Sequence, residues 1–390
     1  MSTVQMSVCT VAPEVTSVKD LSGFRSMERE WNGLVTAHNN SIFLRHEYLR
    51  VWTESFAPDA PLQILTGRSP DGRLVAGLPL LRRRGSLHGV PVQETTALAN
   101  HHSCRFDMAA EDPASAGEAF FRHLAAQDDW DILRLTDIPE GGQAWHLYEA
   151  AKNAGFPVGV WQSQRSPYLL LPSGPSATSE DGGQPGRAIS PRQRSNARRR
   201  LRQMKAKSAV RFECLQAADL VSGLQDFFDV EHSSWKGRNG TACDQDTQTR
   251  DFYTRLAEVA LDRNWLSIFR LILDDRTAAV HYGLTYNDSY LLPKVAFREE
   301  FSELSPGLVL MNEVIDACAA RKVTSIDFLG GDDEWKLRWS STVVPHYWLY
   351  IFRNNFKGRI LHRMKFNWGP WAKQMLKRTN GHSGETNEST

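Results

Sequence analysis

The sequence predicts an α/β (α+β) protein made of two tandem copies of one layout, each a mixed, mostly antiparallel sheet flanked by helices. Three observations predict it. Each half of the chain runs from helical patterns into strands, and then through a further helix to a closing strand, so one grammar is written twice. In the second half, three strand-like runs follow one another across the tight turns Asp274-Asp275 and Asn287-Asp288, the signal of a meander. Between the halves lies PSGPSATSEDGGQPGR (172–187), a run of turn formers and small polar residues that cannot bury a core.

Taken in order, 22–37 and 46–56 read as helices, and 62–67 and 73–84 as strands joined by the turn Ser69-Pro70-Asp71-Gly72. A helix at 114–127, a strand at 130–138, a helix at 142–154 and a strand ending at Leu171 complete the first unit. The second unit opens with a strand at 210–215 and helices at 219–235 and 249–263. Strands at 266–273, 277–286 and 290–297 follow, then a helix at 306–320, a strand at 325–329, a Gly-Gly turn, a short helix and a last strand at 346–352. The expected organisation is 1–171, a linker at 172–189, a second domain at 190–353, and a basic aromatic tail at 354–390 with a disordered end.

Composition bounds the function. A chain of 390 residues, 41% hydrophobic and 23% charged, holds enough apolar material for two cores. A net charge of +1 argues against a nucleic-acid partner, and any charge-driven contact must use a local patch. The N-terminus lacks the basic start and apolar run of a secretory signal, and no window reaches the length of a membrane span, so a cytoplasmic location is expected. Cys9, Cys104, Cys214, Cys243 and Cys318 are scattered without a CxxC pair, which predicts reduced thiols, with Cys318 in the core, and no metal.

The sharpest local signal is Ser305-Pro306-Gly307-Leu308, where a strand hands over to a helix. Ser305 suits an N-cap, and Pro306 loses nothing at the first helical position. Gly307 leaves the opening turn bare, so a phosphate could approach the backbone amides and the positive end of the helix dipole. An ordinary capped helix has the same signature. In TSIDFLGGDDEWKLRW, Asp327 alternates with Ile326 and Phe328 and so faces away from them. It is a candidate to bind an acceptor amine or take its proton, and equally to cap the Gly-Gly turn or pair with Lys336.

Five pieces in order carry a resemblance: the basic run 192–207, His232 with Trp235, Ala278-Ala279, the Ser-Pro-Gly of 305–307, and Asp327-Phe328-Leu329-Gly330 followed by Trp335-Lys336. Residues 190–340 resemble the acetyltransferase domain of the CelD-like branch of the GNAT superfamily, which is related to the FemAB peptidyltransferases. The first half resembles it in layout alone, as a degenerate copy. The resemblance implies acyl-CoA, most simply acetyl-CoA, as donor on Ser305, Pro306, Gly307 and Leu308. It implies a catalytic role for Asp327 or His232, and Glu231, Trp235, Lys336 and Arg338 are the candidates for acceptor contacts. His281, in the strand AAVHYGLTY, is a further candidate as general base from its imidazole alone, with ordinary packing as its other reading. The family carries a tyrosine where this chain has Trp335, so no proton transfer is assigned there.

The implied activity is N-acyl transfer to an amine of a bacterial cell-envelope or exopolysaccharide precursor. Two other readings stand beside it: a long-chain N-acyltransferase acting on a lipid amine of sphingoid type, and a non-catalytic membrane-associated regulatory module. Two basic patches bear on them. From Arg187 to Arg211 there are ten Lys or Arg and no acid, which reads as a solvated helix face or as a contact with phosphates of CoA, of a lipid-linked sugar or of an anionic membrane surface. The stretch 347–378 is acid-free and interleaves Trp348, Phe352, Phe356, Phe366, Trp368 and Trp371 with basic residues, which suits a membrane interface, here the inner face, or stacking on a nucleotide.

Overall fold

The computed structural model describes residues 12–171, 190–215, 219–238, 240, 242–340 and 342–368. Cys9, the expected linker at 172–189 and the expected disordered end lie outside the described residues. The first half is β1 (Glu14–Val18), α1 (Leu21–Arg25), α2 (Glu28–His38), α3 (His46–Phe56), β2 (Leu62–Arg68), β3 (Leu74–Leu87), β4 (Val90–Ala97), the two-residue β5 (Ala109–Ala110), α4 (Pro113–Ala125), β6 (Ile132–Pro139), α5 (Trp145–Asn153) and β7 (Val158–Leu170). The second is α6 (Pro191–Lys205), β8 (Val210–Cys214), α7 (Leu220–His232), α8 (Trp235–Arg238), α9 (Thr247–Asp262), β9 (Phe269–Leu273), β10 (Arg276–Tyr286), β11 (Ser289–Phe297), α10 (Pro306–Ala320), β12 (Ser325–Asp327), α11 (Glu334–Leu337), β13 (Val343–Phe352) and α12 (Phe356–Arg363).

The turns of the meander form for the reason the sequence suggests. Asp274, Asp275, Asn287 and Asp288 all have positive φ, between 46° and 66°, the left-handed pair that a two-residue hairpin loop needs and that Asn and Asp tolerate. β1 and β4 were not legible beforehand. β1 is a short edge strand, and β4 carries Pro91 and a mixed polar pattern, VPVQETTA, that mimics a loop. Strand β9 starts at Phe269 rather than Leu266, which makes only an isolated bridge to Leu284.

All thirteen strands share one sheet, in the order β1-β2-β3-β4-β6-β13-β7-β12-β11-β10-β9-β8, with β5 paired to β3 off that path. Exchanging the halves leaves this order unchanged. In each half four strands are antiparallel neighbours and the fourth then pairs in parallel with the next, β4 with β6 and β11 with β12. The final strands change sides. β7 follows β6 in sequence but pairs with β12, while β13 follows β12 but pairs with β6, and the two pair with each other along the seam.

That exchange is fixed by burial. Period-2 alternation sends Leu349 and Ile351 of β13 into the first half's core against α4 and α5, and Tyr350 and Phe352 to the opposite face with Leu361. Leu169 and Leu171, from β7 and the residue after it, fill the second half's core beneath α10. A third core joins the halves on the other face, where Tyr48 and Phe56 of α3 meet Phe252 of α9. No helix among the described residues is long and apolar enough to cross a membrane.

Candidate active site

β11 runs nine residues yet pairs with β12 only over Ser289–Leu291. Two local features end the ladder. Pro293 has no N–H to donate, and the register against β10 slips between Tyr282 and Leu284, a bulge that bends the strand. Gly283 sits at the slip, where any Cβ would collide with the Tyr290 ring. β12 stops at Asp327, and Leu329 and Gly330, both left-handed at φ 52° and 63°, turn the chain away. Lys336 holds the turn by donating to Leu329 O at 2.9 Å and Gly331 O at 2.8 Å while pairing with Asp333 at 2.8 Å. The two parallel strands therefore diverge.

A cavity of about 760 Å³ occupies this divergence and reaches both faces of the sheet. His281 and Val295 are cross-strand partners on the face covered by α10. Tyr282 and Lys294, the next pair, belong to the opposite face, where Tyr282 lies in the core shared by the halves. Phe297, Ser305, Gly307 and Leu308 line the cavity on the α10 side, and His101 and Cys104, from the loop after β4, line it on the other.

The opening of α10 is exposed to this cavity. Ser305 occupies the N-cap position, but at φ 57° it makes no side-chain cap, contrary to the expectation of a serine cap. The first helical bond is Val309 N–H to Ser305 O at 3.3 Å, so the amides of Gly307 and Leu308 precede it. A Cβ on Gly307 would meet only Phe297 Cδ1, at 3.6 Å. The equivalent helix of the first half, α4, also starts with proline, but Asp112 closes it by accepting from Ala114 N–H at 3.1 Å and Ser115 N–H at 3.2 Å. One half leaves these opening amides without a side-chain cap, and the other closes them with its own carboxylate.

The remaining expected site residues divide. His281 lines the cavity, its Nδ1 is buried without a hydrogen-bond partner, and burial drops its pKa to about 3, so the ring is neutral. Lys336 also lines it, but its ammonium is engaged by two carbonyls and Asp333, so its work is to hold the turn rather than to close the mouth on an anion. Arg338 stands at the rim, paired with Glu334 at 2.7 Å.

Asp327, His232 and Glu231 do not line this cavity. Asp327 faces a separate one of about 410 Å³ along the seam, bonded to Arg105 at 2.8 Å, to Leu329 N–H at 3.0 Å and to Ser166 at 3.4 Å. Alternation along β12 was read correctly, but the strand exchange brings β7 and the first half's Arg105 to the carboxylate, which pairs there rather than with Lys336. His232 is 56% exposed and pairs with Asp244 at 2.8 Å. Glu231 is buried and accepts from Cys243 N–H at 2.9 Å. Trp235 begins α8, and its side chain lies outside the described residues.

Sequence reasoning missed Lys294, His101 and Cys104, and it singled out none of Gln193, Asn196 and Arg200 within the basic run of α6, which reach the cavity while Ala197 and Met204 of the same helix are buried. Lys294 had a signal: it is the one charge inside the apolar strand SYLLPKVAF, next to the proline that ends the ladder. His101 and Cys104 had none, because only the tertiary fold brings the first half here. Cys104 and Cys318 are free thiols, with Cys318 in the core. Among the described residues no group of three or more His, Cys, Asp or Glu is placed to hold a metal ion.

Residues 191–337 match the family described as Acetyltransferase (GNAT) domain. No curated protein matches the chain. Among solved structures, FemX is similar at 10% identity over 87% of this chain and 98% of its own, with a TM-score of 0.54. A conserved protein of unknown function from Bacteroides thetaiotaomicron is similar at 10% identity over 87% and 99%, with a TM-score of 0.51. L-PGS from Bacillus licheniformis is similar at 10% identity over 85% and 94%, with a TM-score of 0.50. At these identities the likeness is one of fold. The split between β11 and β12, the open helix behind it and the family match fall on the same residues: the stretch 191–337 is similar to a GNAT acetyltransferase domain, in a chain whose sheet repeats one strand layout twice.

Proposed function

We propose that the protein is an N-acyltransferase of the CelD-like branch that moves an acyl group, in the first place acetyl, from acyl-CoA to an amine of a cell-envelope or exopolysaccharide precursor. One observation carries the reading: a single cavity leads from the bare amides at the start of α10, through the divergence of β11 and β12, to the opposite face of the sheet. A donor bound on the α10 side and an acceptor entering from the other would meet in the gap.

The donor fits the residues present. Its phosphates would take the amides of Gly307 and Leu308, with Arg200, Gln193 and Asn196 of α6 beside them. A thioester is already activated, so the protein has to align a neutral amine, polarise the carbonyl with a β11 amide beyond Leu291, and dispose of one proton. His281 is too weak a base at a pKa of about 3 to take a proton from an ammonium, and it serves as a hydrogen-bond acceptor that orients the amine. The proton leaves with the departing thiol.

The test is mass spectrometry of the purified protein incubated with a mixture of acyl-CoAs and candidate amines. An N-acylated amine of one acyl length is expected, and an intact amine pool would overturn the reading. A second reading, transfer of a long acyl chain to a lipid amine at the inner membrane face, draws on one surface: Phe356 is 82% and Trp161 49% exposed, with the Lys365 ammonium 5.6 Å from the Trp161 ring. Within the acid-free stretch Phe352 is buried and Phe366 packs on Tyr350, so only part of that aromatic belt faces outward. Preference for long acyl-CoAs in the same experiment would favour it.

A further inference from the structure

The transferase reading leaves a charged cavity residue, Lys294, without a task. Lys294 lies on β11 on the acceptor side of the split, half-buried, in a strand whose other side chains are mostly apolar. Among the described residues it forms no ion pair, although most of the buried or half-buried cations around it do: Lys336 has Asp333, Arg105 has Asp327, and Arg270 has Asp226 and Glu213. Its ammonium rests 5.4 Å from the centre of the Tyr253 ring, and His101 and Cys104 line the cavity beside it. A half-buried cation that gives up part of its hydration and meets no carboxylate is a cost to the fold unless a ligand supplies the counter-charge.

The donor cannot supply it. Lys294 pairs across the strands with Tyr282, on the face opposite α10, whereas the amides that would hold the donor phosphates lie on the α10 face. The charge that Lys294 lacks must therefore arrive with the other substrate. We propose that the acceptor carries an anionic oxygen group, a carboxylate or a phosphate, near its reacting amine, and that Lys294 is the residue that recognises it. This rests on the transferase reading and narrows it to acidic amines such as amino acids, amino-sugar acids and amino-sugar phosphates. Lys294 also sets orientation. With the anion held at the ammonium, the amine is turned toward the gap between β11 and β12, where His281 lines the far wall.

The experiment uses matched acceptors with the full chain and acetyl-CoA: glucosamine against glucosamine 6-phosphate, and an amino acid against its amide. Each pair is measured with the wild type, Lys294→Met, which keeps length and removes charge, and Lys294→Arg, which restores it. The wild type is expected to prefer the charged member of one pair, which also separates phosphate from carboxylate. Lys294→Met is expected to lower kcat/KM for that member by about 10- to 100-fold, the range of one hydrogen bond to a charged group. The loss falls on the acceptor KM, removes most of the preference for the charged member over the neutral one, leaves the KM of acetyl-CoA unchanged, and is partly recovered in Lys294→Arg. Equal use of charged and neutral acceptors, or an unchanged preference in Lys294→Met, overturns the inference alone. A protein that binds acetyl-CoA but acylates neither member of either pair overturns it together with the reading beneath it.

Discussion

Asp327 separates a catalytic carboxylate from a structural one at the level of a single side chain. Its oxygens hold Arg105, Ser166 and the Leu329 amide, so Asp327→Asn leaves a partly buried guanidinium without its counter-ion. The expected result is a stability loss of about 1–3 kcal/mol in urea unfolding, with kcat for any acceptor changed less than about threefold at temperatures where the variant is folded. A fall in kcat of a hundredfold or more without a change in stability would return Asp327 to the chemistry. Such residues show how far the sequence could be read. The spacing Ile326-Asp327-Phe328 gave the face of the carboxylate, but its partner Arg105 is 222 positions away and no local pattern announces it.

Among the elements, α10 and α4 are the informative pair, since they begin alike and differ in one feature. Asp112 occupies the amides of α4, whereas the amides of α10 are open. Gly307→Glu imitates the closed helix by bringing a carboxylate to the same turn, and it is expected to weaken acetyl-CoA binding at least about tenfold, or about 1.4 kcal/mol, in calorimetry. Gly307→Ala is the control. Its Cβ meets Phe297 at an ordinary contact distance of 3.6 Å, so binding and folding stay near the wild type. Equal affinities for all three proteins would show that the phosphates lie elsewhere. The Ser-Pro-Gly signature was legible in advance because it is local chemistry. The split beside it was not, because it results from a bulge, a proline and a left-handed turn on two strands acting together.

For the whole molecule, the strand exchange predicts that the halves do not unfold separately. β13 completes the first half's core and β7 the second's, while α3 and α9 share a third. Urea unfolding followed by far-ultraviolet dichroism and by tryptophan fluorescence is expected to give one coincident transition, and two resolved midpoints would contradict the exchange. Acid sensitivity follows from burial. His281 and His102 are lowered to about 3 and His346 to about 4, in each case chiefly by desolvation. Their unfolded forms bind protons near pH 6.5 while the folded forms do not, so stability is full above that pH and falls as pH drops toward 4. Three such groups give a slope of about 4 kcal/mol per pH unit near pH 5. Urea midpoints at pH 7.5, 6 and 5 test it, and a flat profile would mean that these rings are solvated.

The sequence by itself determined what depends on neighbours along the chain: the meander turns, the helices with one apolar face, the Pro-Gly start of α10 and the writing of one layout twice. Turn chemistry, periodicity and capping act within a few residues, so they are visible without coordinates. The tertiary structure alone decided which half completes which core, and with it the fate of the candidate side chains. It bonded Asp327 to Arg105 and His232 to Asp244, brought His101 and Cys104 across from the first half, and left Lys294 facing a cavity with no carboxylate beside it among the described residues. Long-range pairing is set by burial summed over whole strands, and an ion pair between distant residues exists only once that sum has chosen the register.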